Sequence, residues 1–107
     1  MMSISEGLEI PPEPLEIKEQ ILREAREWGS LDKAHIWGKN RLQSYLWSRW
    51  KSRLRERGYT WQEFLRVMKL ASTAALHWAE GRITWEEFVN QVIWLINTGA
   101  RPGRLVG

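Results

Sequence analysis

Two stretches decide the fold: Tyr59-Thr60-Trp61-Gln62-Glu63-Phe64-Leu65 and Ile83-Thr84-Trp85-Glu86-Glu87-Phe88-Val89. They share one pattern. A Thr stands as N-cap and a Glu follows three residues later, so each can close two orphan N–H groups reciprocally as a capping box. The apolar residue before each Thr and the Phe four after it, Tyr59 with Phe64 and Ile83 with Phe88, read as hydrophobic staples. Gly58 and Gly81 stand just before them as C′ residues ending the preceding helices. Two helices are therefore expected, at about 61–80 and 85–98, with Gly99 after the second.

Working outward, the third helix is apolar over most of its circumference. Only Gln62, Arg66, Lys69, Thr73, His77 and Glu80 form a polar stripe. A helix of this kind is covered on several sides. Before it, residues 31–58 read as a second helix with Leu42, Leu46, Trp50 and Leu54 in an i+4 row toward the core. Gly38 is either a break between a short piece, 31–37, and a long one, 39–57, or a weak point in one helix. A first helix runs about 14–28, with Leu15, Ile17, Ile21, Leu22, Ala25 and Trp28 on one side and an i,i+4 ladder of Glu19, Arg23 and Glu27 on the other. The expected architecture is all-α: a three- to four-helix bundle over 14–98, an extended Pro-rich arm over 1–13, and a short basic C-terminal tail over 99–107. Pro11, Pro12 and Pro14 forbid a continuous helix through the arm.

The run from Gly81 to Val89 resembles the opening of the last helix in short C-terminal oligomerisation domains. Capping chemistry alone produces the same pattern, so the resemblance carries no functional expectation.

Composition excludes several classes. The 107 residues include no Cys and two His, which removes thiolate chemistry and leaves no constellation for a metal. Neither a membrane span nor a secretory leader is legible, so an intracellular soluble protein, or one held within a nucleoprotein particle, is expected. No Gly-rich phosphate loop or nucleophile–base pair is present. No catalytic residue, cofactor or metal ligand is assigned, and a non-enzymatic protein is expected. Arg exceeds Lys by 11 to 5, which with the lack of Cys fits a thermophile.

Charge is polarised. Residues 1–32 carry eight acids against three bases, and 33–57 carry eight bases against one acid, within a chain of net charge +3. The basic block falls on the second helix, where Lys39, Arg41, Ser44, Ser48, Arg49, Lys51, Ser52, Arg53, Arg55 and Arg57 are the candidate nucleic-acid-binding residues. Small serines between long bases let a backbone approach and donate to phosphate oxygens, and Arg offers bidentate geometry. Contact with the phosphate backbone, DNA or RNA, is expected to dominate over base readout. The other readings are an acidic partner, another subunit or the chain's own first helix, or a solvated basic face.

Eight tryptophans divide by position. Trp50, Trp61, Trp78 and Trp85 fall on core faces, and Trp28 and Trp37 beside helix breaks. Trp47, at the edge of the core row, and Trp94, opposite the core face of the last helix, are candidate protein-interface residues for a homo-oligomer. The layout of arm, bundle, basic helix and exposed aromatics is similar to that of coat or nucleocapsid proteins of filamentous archaeal viruses. The similarity is one of layout, and no motif carries it. A non-enzymatic, self-associating nucleic-acid-binding protein is the leading expectation, and an adaptor or small subunit of a larger complex the alternative.

Overall fold

Both repeated helix starts form as capping boxes. Thr60 Oγ1 accepts the Glu63 N–H at 3.2 Å while Glu63 Oε1 accepts the Thr60 N–H at 3.3 Å. Thr84 and Glu87 repeat the exchange at 3.0 and 2.8 Å. The helix ends repeat too. Gly58 and Gly81 have φ of 84° and 81°, a left-handed conformation that costs glycine little. In each case two successive N–H groups turn back onto the last turn. Gly58 donates to Arg55 and Tyr59 to Leu54; Gly81 donates to Trp78 and Arg82 to His77. This is the Schellman arrangement, which satisfies carbonyls left open at a helix end.

The computed structural model describes residues 8–28 and 36–99. In that range the chain is all-helical, with no strand. The helices are α1 (Leu15–Trp28), α2 (Ile36–Glu56), α3 (Trp61–Leu70), α4 (Ser72–Ala79) and α5 (Trp85–Asn97). The expected third helix is thus two. Ala71 interrupts it with ψ of 10°, and its N–H is shared between the Val67 and Met68 carbonyls. The two pieces have different neighbours: α4 packs on α1 and α5, whereas α3 packs on α2 and α5.

Gly38 lies inside α2 and does not break it. Residues 31–35, the rest of the expected short piece, lie outside the described residues, as does most of the tail. The glycine is there for close approach. A Cβ at Gly38 would stand 2.4 Å from Ile21 Cγ1, so α1 and α2 cross with backbone almost against side chain. Glu24 is drawn in at this crossing, only 9% exposed, although it falls on the polar side of α1. Its Oε1 accepts the Gly38 N–H at 3.1 Å, so the two helices are bonded where they cross. Leu15, expected on the core side of α1, is exposed. It opens the helix beside the Pro-rich segment, two residues before the first α1 side chain that is buried, Ile17, and so on the opposite side of the helix.

The core joins Leu42, Leu46, Trp50 and Leu54 of α2 to Phe64, Val67 and Met68 of α3, Ala74, Ala75 and Trp78 of α4, and Phe88, Val89, Val92 and Ile93 of α5. The Pro-rich segment belongs to it. Leu8 is fully buried. The Trp50 indole donates to the Glu9 carbonyl at 2.8 Å, Trp85 to Pro11 at 2.7 Å, and the Tyr45 hydroxyl to Pro12 at 2.6 Å. Trp78 donates to Glu13 Oε2 at 2.8 Å. A buried Trp needs an acceptor, and an irregular segment has carbonyls to offer; each requirement answers the other.

Candidate nucleic-acid interface

One face of α2 is sealed against the core, so the opposite face presents its side chains from a fixed backbone. Ser44, Ser48, Lys51, Ser52 and Arg55 lie on that outer face, all exposed. Lys51 and Arg55 are one turn apart, about 6 Å along the axis. Among the described residues, Lys51, Ser52 and Arg55 make no hydrogen bond or ion pair. Ser48 donates to the Tyr45 carbonyl of its own helix at 2.7 Å. Arg49 lies over the Tyr45 ring, 5.4 Å from its centroid, and Arg53 pairs with Glu56 at 3.5 Å. An exposed pair of that kind is weak and exchanges readily. Arg53 and Arg55 also sit in the last turn of α2, where cations complement the helix dipole.

The remaining three bases are held by neighbouring elements. Lys39 is half-buried and donates to Ser72 Oγ at 2.6 Å, at the start of α4. Arg57 lies past the helix end and donates to Asn97 Oδ1 at 2.7 Å. Arg41 donates to Gln20 Oε1 and stands 3.9 Å from a Glu16 carboxylate oxygen, both on the acidic α1. The basic surface is therefore concentrated on the C-terminal half of α2, from Ser48 to Arg55.

At the other end, the outer face of α2 runs into an open groove against α1. Its volume is about 680 Å³, and Ile17, Gln20, Trp37, Asn40, Arg41, Ser44 and Tyr45 line it. Trp37 is 65% exposed. The periodicity that puts Trp37, Arg41 and Ser44 on one side of a helix was available in the sequence. Treating Gly38 as a candidate break hid it.

The candidate interface tryptophans differ. Trp47 is half-buried, with its ring centroid 5.5 Å from that of Trp61 and 5.4 Å from that of Phe64. Packing within the chain accounts for it. Trp94 is 55% exposed on α5.

Chemistry is sparse around these surfaces. Among the described residues no cluster of three or more His, Asp or Glu side chains forms a metal site, and no helix is long and apolar enough to cross a membrane. Comparison of the chain with protein-family models, with curated proteins and with solved structures gave no match.

Proposed function

We propose that this chain is a non-enzymatic helical protein that binds nucleic acid through the phosphate backbone and self-associates, as a coat- or nucleocapsid-type protein would. The observation that carries the reading is the outer face of α2. Lys51, Ser52 and Arg55 are exposed and unpaired among the described residues, with Arg49 and Arg53 beside them on a helix anchored by four fully or nearly fully buried residues. Cations interleaved with short hydroxyls on a rigid rod suit a polyanion, which rewards neutralisation by releasing counterions. For self-association the support is Trp94, a large aromatic left in water on a face with few charges.

Size-exclusion chromatography with light scattering, followed at 260 and 280 nm in low and high salt, tests the reading. A particle larger than the monomer, carrying nucleic acid that salt removes, is expected. Arg49→Glu/Arg53→Glu/Arg55→Glu is expected to abolish the association with nucleic acid. A chain free of nucleic acid that binds none at low salt would overturn the proposal.

A second reading has its own support. The Arg41 contacts with Gln20 and Glu16 show that the basic helix already accepts an acidic helix as neighbour at one end. An acidic protein surface would extend that pairing along α2, and the chain would then be an adaptor. It predicts a salt-sensitive protein complex and no nucleic acid.

A further inference from the structure

We propose that the groove between α1 and α2 is a subsite for one unpaired nucleobase, stacked on Trp37, with the adjoining phosphate held by Arg41 and Ser44. The inference rests on the nucleic-acid reading and deepens it: the interface prefers a single strand to a duplex.

Three observations converge on the groove. First, Trp37 turns a large aromatic plane to solvent, and among the described residues it makes no ring contact and no hydrogen bond, though the other indoles of the core all do one or the other. An exposed indole beside a cationic track is the platform on which bases of any sequence stack. Second, the groove is continuous with the outer face of α2, because Ser44 belongs to both, and Arg41 brings a cation into it. Its volume of about 680 Å³ falls within the range of clefts that enclose a small organic molecule, and among the described residues no carboxylate lines it. Asn40, exposed on the rim, carries an amide that donates and accepts, which matches the edge of any base.

Third, the rim is held in place. Arg41 donates to Gln20 Oε1; Gln20 Nε2 donates to Glu24 Oε2 at 2.8 Å; and the other oxygen of Glu24 accepts the Gly38 N–H. This chain of bonds ties the guanidinium to the backbone of the residue after Trp37. The cation is thereby positioned relative to the backbone that carries Trp37 before any ligand arrives, which lowers the ordering cost of binding. Glu16 stands near the same guanidinium, but it is almost wholly in water, where an ion pair is weak and a phosphate can replace it.

A duplex keeps its bases stacked and paired, so it reaches the phosphate-binding face but not the groove. The test is fluorescence anisotropy at low salt with an end-labelled oligothymidylate and with a labelled duplex of equal length. Wild type, Trp37→Ala, Trp37→Phe and the Arg49/Arg53/Arg55 charge reversal are compared. Trp37→Ala is expected to weaken single-strand binding by about 5- to 150-fold, the loss of one base–aromatic stack, and to leave duplex binding unchanged. Trp37→Phe, which keeps a stacking ring, is expected to restore most of the loss. Trp37 is exposed, so both variants should melt like wild type, which circular dichroism checks. Equal losses for single strand and duplex, or no loss for either, would overturn the subsite while leaving the phosphate-binding face in place. Failure of wild type to bind either probe would overturn the nucleic-acid reading and the subsite together.

Discussion

Glu24 of α1 bonds the backbone of α2: its carboxylate accepts the Gly38 N–H at 3.1 Å, where Gly38 packs against Ile21. The bond ties a side chain of one helix to the backbone of the other at their crossing. The missing side chain at Gly38 makes the crossing close enough for the bond to form.

Gly38→Ala sets two effects against each other. Alanine favours a helix interior by about 1 kcal/mol over glycine. Its Cβ would overlap Ile21 at 2.4 Å, and overpacking of this sort costs about 1–3 kcal/mol. A net loss of stability is expected in urea unfolding. Ile21→Ala, which opens the space, should make the added Gly38→Ala far less costly. Additive effects in that double-mutant cycle would mean the two residues do not share a packing site.

Removal of the Glu24 carboxylate takes from the buried Gly38 N–H the acceptor that α1 supplies. Glu24→Ala is expected to cost about 1–3 kcal/mol, whereas Glu24→Gln keeps an acceptor oxygen and should cost less. Hydrogen exchange at the Gly38 amide reports the bond directly. Faster exchange in the alanine variant, and near-native exchange in the glutamine variant, is the expected result.

The Pro-rich segment is part of the core and should behave so under mutation. Trp85→Phe removes the donor to the Pro11 carbonyl and leaves a cavity, at a cost of about 2–4 kcal/mol. Trp94→Phe, on the exposed face of α5, should change stability by less than about 0.5 kcal/mol. Denaturation of the two variants side by side separates a structural tryptophan from a surface one. Equal stability would mean that the segment is not docked as described.

The bases on α2 should not contribute equally to nucleic-acid binding. Lys51→Ala and Arg55→Ala are each expected to reduce the salt slope of log K by about 1, the loss of one phosphate contact. Lys39→Ala and Arg57→Ala remove bases directed to Ser72 and Asn97, and should change the slope little. A titration series over salt concentration checks both. The same slope loss for all four would mean that the internal tethers do not hold in solution.

The helix starts and stops were legible because they are local. A Thr, a Glu three residues on and a Gly behind are enough to satisfy orphan backbone groups, whatever the rest of the chain does. The core row of α2 was legible for the same reason, since a period of four residues on a helix defines a face without reference to a partner. The outer basic face followed as its complement, and so did the exposure of Trp94. What the amino-acid order determined by itself is therefore an all-helical chain with one basic helix surface.

Only the tertiary structure decided the rest. Gly38 reads as a break because glycine is a poor helix former, but contact with Ile21 reverses its meaning. Glu24 falls on the polar side of α1, and only the neighbouring helix brings it a buried N–H. The Pro-rich segment and the tryptophans, distant in sequence, explain each other only once the indoles meet the Glu9 and Pro11 carbonyls and the Glu13 carboxylate. The groove beside Trp37 exists only because α1 lies against α2. In each case the deciding partner is many residues away, and its position depends on packing, which no local pattern encodes.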